Sequence, residues 1–249
     1  MRSFLLAFLV VSVFTGCGDP KNIPSAQELV DRTIEVAGGD LYEQSEFRFK
    51  FRDMVYVLER ENGEKIMKRI KQTDSGQLTD VRNGDKFNRV FEGKSIQVSD
   101  SMANVYSNSI NSVHYFAYLP YGLNDAAVNK ELIGKKLIRN REYYKVKVTF
   151  EQQGGGEDFE DIYIYWIDKE TFKPSYLAYE FHVDGGGMRF REAYNERFVN
   201  GIRIVDYRNF KPRGTADIME IDDLFEKGQL ELLSDIKLEA VEVSRDNYN

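Results

Sequence analysis

Two histidines, one cysteine and a short acidic cluster are the residues of this chain whose types could do chemistry. His182 sits beside Glu180 in an alternating stretch, and an imidazole near a carboxylate can move protons in acid–base catalysis. The pair reads as surface neighbours on one strand, with a hydrolase using His182 as the enzymatic alternative. His114 lies inside an apolar helical segment. Asp217, Glu220, Asp222 and Asp223 lack the spacing of a calcium-binding loop and read as a solvated surface loop. The glycine runs 154–156 and 185–187 are followed by Glu157-Asp158 and Met188-Arg189, so they lack the lysine and hydroxyl residue of a phosphate-binding loop. Neither HExxH nor GxSxG occurs. The chain therefore reads as a non-enzyme without a metal or a cofactor.

Cys17 offers different chemistry, a thiol for acylation. It follows Arg2 and an eleven-residue apolar block, Phe4–Phe14, interrupted only by Ser12. A spanning helix needs roughly 20 apolar residues, so this block has the size of a signal-peptide core. Thr15 and Gly16 are small enough for a processing peptidase. The segment Phe14-Thr15-Gly16-Cys17 resembles the lipobox of bacterial lipoproteins, with Phe14 in place of the usual leucine. That resemblance implies a signal peptide over 1–16, lipidation at Cys17 and a Gly/Pro/Asn-rich tether over 17–24. It places the mature protein in the cell envelope, extracytoplasmic and held to a membrane by its N-terminal lipid, such as palmitate. An aspartate at position 19 retains lipoproteins at the inner membrane in some bacteria. The rule is not universal, and the outer membrane is the expected address.

With a single cysteine there is no disulfide framework and no thiol-rich metal site. Removing residues 1–16 leaves 233 of 249 residues and takes away Arg2, so the formal charge goes from −7 to −8. Nucleic acid, which needs a basic footprint, is excluded as a partner. A hydrophobic content of 42% supplies a core and 30% charged residues a soluble exterior, consistent with a monomer.

The elements that must position these residues are mostly strands. Ser25 with Glu28 is a capping box opening a helix with Leu29, Val30, Thr33, Ile34 and Ala37 on one face, stopped by Gly38-Gly39. The period then changes: Phe47, Phe49 and Phe51 alternate with Arg48, Lys50 and Arg52, and Met54–Leu58 continues the strand. Lys65–Gln72, Gln77–Arg82, Lys86–Phe91, Lys94–Val98, Tyr143–Gln152, Asp161–Asp168, Ser175–Val183, Met188–Tyr194, Gly201–Phe210 and Asp235–Val243 follow. Short turns join them, and the two glycine runs read as hairpin tips. The pattern predicts a mainly β fold, a large antiparallel sheet or barrel of about eleven strands. Two segments break the alternation. Asp161–Asp168 is apolar on both faces, as in a strand covered from both sides. Ser109–Leu123 is a short helix apolar nearly all round, ended by Pro120 and Gly122. Such a helix lies against the sheet as a lid or plug, or is core filler.

An N-terminal helix, a run of antiparallel strands, an apolar insertion and the stretch Trp166-Ile167-Asp168-Lys169-Glu170-Thr171-Phe172-Lys173-Pro174 resemble the lipoprotein-carrier superfamily that includes LolA and LolB. The resemblance covers roughly residues 25–243, and it implies a single LolA-like domain over 25–249. In that family an unclosed, curved half-barrel wraps a helix lid, and an apolar cavity takes acyl chains of lipids or lipoproteins. It makes Phe116, Tyr118, Leu119 and Tyr121 on the lid, with Ile164 and Trp166 on the sheet, candidates for the cavity lining. Physically, an acyl-chain site needs concave apolar walls with few unpaired polar atoms, and aromatic rings supply them. The alternative is an envelope interaction module with a filled core. A deoxyribose-phosphate aldolase would need a Schiff-base lysine on a (β/α)8 barrel, and this pattern shows no such β/α alternation.

Overall fold

The computed structural model describes residues 23–153, 159–182 and 185–245. Cys17, the signal segment and most of the expected tether lie outside the described residues, as does the glycine tip at 154–156. Helix α1 (Ala26–Ala37) starts as its capping box requires: Ser25 Oγ accepts from the Glu28 amide at 3.2 Å and the Glu28 carboxylate accepts from the Ser25 amide at 2.7 Å. Strands β1 (Ser45–Phe51), β2 (Met54–Glu61), β3 (Glu64–Thr73), β4 (Gly76–Asn83), β5 (Lys86–Phe91) and β6 (Lys94–Ile96) form an antiparallel meander. Helix α2 (Asp100–Ala117) follows, then a second meander of β7 (Val128–Ile138), β8 (Arg141–Phe150), β9 (Ile162–Asp168), β10 (Pro174–Phe181), β11 (Gly187–Val199) and β12 (Ile202–Pro212). After the short helix α3 (Ile221–Glu226), β13 (Leu230–Ile236) pairs with β12. The chain then crosses over, so that β14 (Glu239–Arg245) pairs with β1.

The result is two seven-stranded antiparallel sheets that stay unclosed, ordered β14-β1-β2-β3-β4-β5-β6 and β13-β12-β11-β10-β9-β8-β7. The mainly β class expected from the pattern holds, with fourteen strands among the described residues where about eleven were expected. Helix α2 lies between the sheets. It packs on β3, β4 and β5 of the first, while Tyr115 and Phe116 meet Tyr163 of the second.

Four elements differ from the sequence reading. Residues 47–58 are two strands, because Arg52-Asp53 makes a two-residue hairpin with Phe51 opposite Met54 and Arg52 at φ 57°. Strand β7 was not among the expected strands. It carries a bulge at Gly134, φ 145°, where the register against β8 shifts. The apolar helix begins at Asp100 and ends at Ala117, with Leu119–Leu123 in the turns that follow. Finally, the stretch placed at Asp235–Val243 contains the crossover between β13 and β14.

Candidate functional site

Strand β9 explains why both of its faces are apolar. On its inner face Tyr163, Tyr165 and Ile167 join Leu29 and Val30 of α1 and Leu119 and Leu123 in one cluster. On its outer face Ile164 and Trp166 join Tyr143, Tyr176 and Phe190 beneath Ile221 and Phe225 of α3. That outer cover is fastened by a buried polar centre. Asp222 Oδ2 accepts from Trp166 Nε1 at 3.0 Å and from Lys145 Nζ at 3.0 Å. Lys145 also donates to the Met219 carbonyl at 2.5 Å. Asp222 is fully buried, which corrects the solvated-loop reading for that one acid, while Asp217 and Glu220 are exposed and Asp223 is half-buried. A carboxylate with that many donors can leave water without an unpaired charge.

The inner face is less filled. Two flanks of α2, each at helical spacing, line two cavities. On one flank Asn111, His114, Tyr115 and Tyr118 border a space of about 130 Å³ closed by Tyr42, Phe47 and Tyr121. Here His114 is fully buried. Its Nδ1 lies 2.8 Å from the Tyr118 hydroxyl and its Nε2 3.4 Å from the Lys68 carbonyl. Burial lowers its pKa to about 4 and pushes the Tyr118 hydroxyl up. The imidazole is therefore neutral at pH 7 and packs within the core. Tyr121 hydrogen-bonds Glu43, and both this bond and burial hold its hydroxyl protonated.

On the other flank Val113 and Phe116 border a larger cavity of about 220 Å³. Its far wall is the inner face of β11–β13, with Val205, Tyr207 and Ile236. The hairpin tip at Phe51-Arg52 and the crossover residue Leu238 complete it. One charge stands inside this wall. Arg191 is 7% exposed. Its guanidinium carbon lies 3.8 Å from the centre of the Phe116 ring and 5.1 Å from that of Tyr179, whose hydroxyl accepts from Nη2 at 3.0 Å.

Of the six residues expected to line a cavity, the structure divides four from two. Phe116 borders the larger cavity, and Tyr118 and Tyr121 border the smaller one. Leu119 packs with α1 in the inner core. Ile164 and Trp166 are on the opposite face of the second sheet, because alternation along β9 directs them outward under α3. The inner residues of β9 are Tyr163, Tyr165 and Ile167, and the Tyr165 hydroxyl meets that of Tyr115 at 3.1 Å. Arg191 was missed because an arginine alternating with Phe190 normally marks the solvent face. His182 lies at the surface, its Nδ1 3.7 Å from Asp161 Oδ1, and borders neither of these cavities. No group of three metal-ligating side chains occurs among the described residues.

The Trp166–Pro174 stretch also proves structural. Asp168 Oδ1 accepts from the amides of Glu170 and Thr171 at 2.9 and 2.8 Å, and Arg141 approaches Oδ2 at 3.2 Å. The motif is thus a self-capped hairpin turn between β9 and β10.

The profile of DUF6503, a family of unknown function, matches residues 33–238, and the chain belongs to that family. No curated protein matches it in sequence. Solved structures similar to it include a LolA superfamily protein from Nitrosomonas europaea, at 12% identity and a TM-score of 0.48 over 89% of this chain and 92% of that one. A DUF1329 family protein from Desulfovibrio piger has 10% identity and a TM-score of 0.49 over 90% and 94%. An outer membrane lipoprotein-sorting protein domain from Vibrio parahaemolyticus has 6% identity and a TM-score of 0.30 over 88% and 94%.

Proposed function

We propose that this DUF6503 member is a cell-envelope lipoprotein, anchored through Cys17, that binds the alkyl part of a lipid or lipoprotein between α2 and the second sheet. The observation that carries this reading is the 220 Å³ cavity walled by Phe116, Val113, Val205, Tyr207 and Ile236. Its size is just below the roughly 300 Å³ lower end of ligand sites. It accommodates a segment of one chain, and a whole diacyl ligand requires α2 to move away from the sheet. No helix of the described residues is long and apolar enough to cross a membrane, so in this reading the acyl group on Cys17 provides the attachment. Two acyl signals make such a tether stable.

Native mass spectrometry of the full chain after exposure to palmitic acid and to a diacylated lipopeptide tests the binding. Adducts that disappear when Phe116→Trp fills the cavity are expected. Absence of adducts with both ligands would remove the reading. For the anchor, Cys17→Ser is expected to abolish metabolic palmitate labelling and membrane fractionation. Labelling that survives the change would place the attachment elsewhere.

The exposed Met102 and Val105 favour a second reading, in which α2 docks another envelope protein. It predicts that Val105→Glu abolishes partner capture and leaves acyl binding untouched.

A further inference from the structure

We infer that the larger cavity is built for the carboxylate end of a single-chain amphiphile, with Arg191 as its anion partner. The inference rests on the acyl-binding reading above and adds the headgroup. A guanidinium taken out of water normally sits opposite a carboxylate, because an uncompensated buried charge is costly. The other strongly buried arginines of the fold obey this: Arg69 meets Asp80 at 2.6 Å and Arg203 meets Glu196 at 2.6 Å. Arg191 does not. Among the described residues its recorded partners are two aromatic faces and one phenol, and its buried Nε has no acceptor.

The surroundings of Arg191 define what is missing. Among the described residues no acidic side chain borders the cavity, while a second cation, Arg52, does. The Phe116 ring centre lies 3.8 Å from the guanidinium carbon, and of the donors around the rim Nη2 is bonded to Tyr179 while Nε has no acceptor. A planar carboxylate matches a guanidinium edge with two parallel bonds. The remaining walls, Val113, Val205 and Ile236, are apolar and suit the chain behind the head. A fatty-acid-like ligand satisfies both halves at once. A neutral lipid head would leave the Arg191 charge unpaired.

The test compares palmitic acid with hexadecanol, which has the same chain length and no anion, on the full chain at pH 8 by native mass spectrometry titration. The expected result is that the wild type prefers the acid by about tenfold or more, the worth of one charge-assisted hydrogen bond. Arg191→Met should lose that preference and retain hexadecanol binding. Arg191→Lys should keep only part of it, since a point charge replaces the fork. Equal affinity of the wild type for acid and alcohol overturns the headgroup assignment and leaves the acyl-binding reading standing. So does an Arg191→Met protein that still prefers the acid. Binding of neither ligand overturns both. The wild-type comparison decides the matter even if a variant fails to fold.

Discussion

On the outer face of the second sheet, Lys145 is buried with Asp222 at 3.0 Å, and Trp166 donates to the same carboxylate oxygen. On the inner face of the same sheet, Arg191 is as deeply buried but has aromatic rings where a carboxylate would be. Each cation lies under a helix, α3 in one case and α2 in the other. In the outer cover the buried cation faces a carboxylate, and that carboxylate has its donors. Among the described residues, the inner cover leaves a cavity, an unused donor and a cation with no carboxylate opposite it. A fold that neutralises one buried cation and leaves another open is using the first for architecture. The second is available for a ligand.

The outer centre should be the most sensitive point of the domain. Asp222→Ala leaves Lys145 charged and the Trp166 N–H without an acceptor in a region closed to water. Breaking a buried pair from one side costs about 3–5 kcal/mol, and Lys145→Met should fall toward the lower end of that range, because Trp166 Nε1 at 3.0 Å and Lys136 at 3.7 Å still face the carboxylate. Denaturant unfolding of the two variants measures this. A loss below about 1 kcal/mol in both would mean that α3 does not depend on its charge pair, and the contrast between the faces would fail.

His114 gives an intermediate case, a buried polar group that is neutral until acid charges it. Its folded pKa is about 4, below the ordinary 6.5. Between those values the unfolded chain binds the proton and the folded one does not. Stability from this group is therefore complete above pH 6.5 and falls as the pH drops toward 4. The loss amounts to roughly 3 kcal/mol. Unfolding midpoints of the wild type and His114→Gln at pH 7 and pH 4.5 isolate the contribution, since other acid-titrating groups are common to both. The wild type should lose more on acidification, and equal losses would show that the imidazole is hydrated.

A smaller effect is expected at the β9–β10 turn. Asp168→Ala removes the acceptor for the Glu170 and Thr171 amides. One side of the turn stays near solvent, so water replaces part of what is lost, and about 1–2 kcal/mol should go. Asp168→Asn, which keeps an acceptor oxygen, should recover much of it in the same unfolding measurement.

These centres differ in how far the sequence reveals them. The alternation of Phe47 and Phe49 with Arg48 and Lys50 identifies β1, and the two-faced run from Ile162 to Ile167 identifies a strand covered on both sides. Both signals are local, and both faces are occupied as expected. The aromatic second half of α2 and the turns after it carry a local apolar signal as well, and Phe116, Tyr118 and Tyr121 there border the two cavities. The first half of α2 does not, because Asp100–Asn108 is polar and mostly exposed or half-buried at the edge of the first sheet. What escaped the reading is set by partners far along the chain. Asp222 sits among exposed-looking acids, and its burial is decided by Trp166, 56 residues away, and Lys145, 77 away. Arg191 has the alternation of a surface residue until both faces of its sheet are known to be covered. Polar residues between two apolar layers carry no local mark.

Arg191→Met should have the smallest effect on stability and thereby sharpens the contrast most. The change removes the bond to Tyr179 and the guanidinium stack on Phe116, losses of about 1 kcal/mol each. Against them stands relief of a buried charge whose Nε has no acceptor, a cost of similar or larger size. Methionine fills most of the vacated volume and adapts to the cavity wall. The net change should fall within about 1 kcal/mol of zero, several times less than for Lys145→Met on the opposite face. Parallel unfolding of these two variants gives the comparison directly. Equal losses would make Arg191 an architectural cation like Lys145. A near-zero change would leave ligand binding, and not folding, as the reason for a charge in that wall.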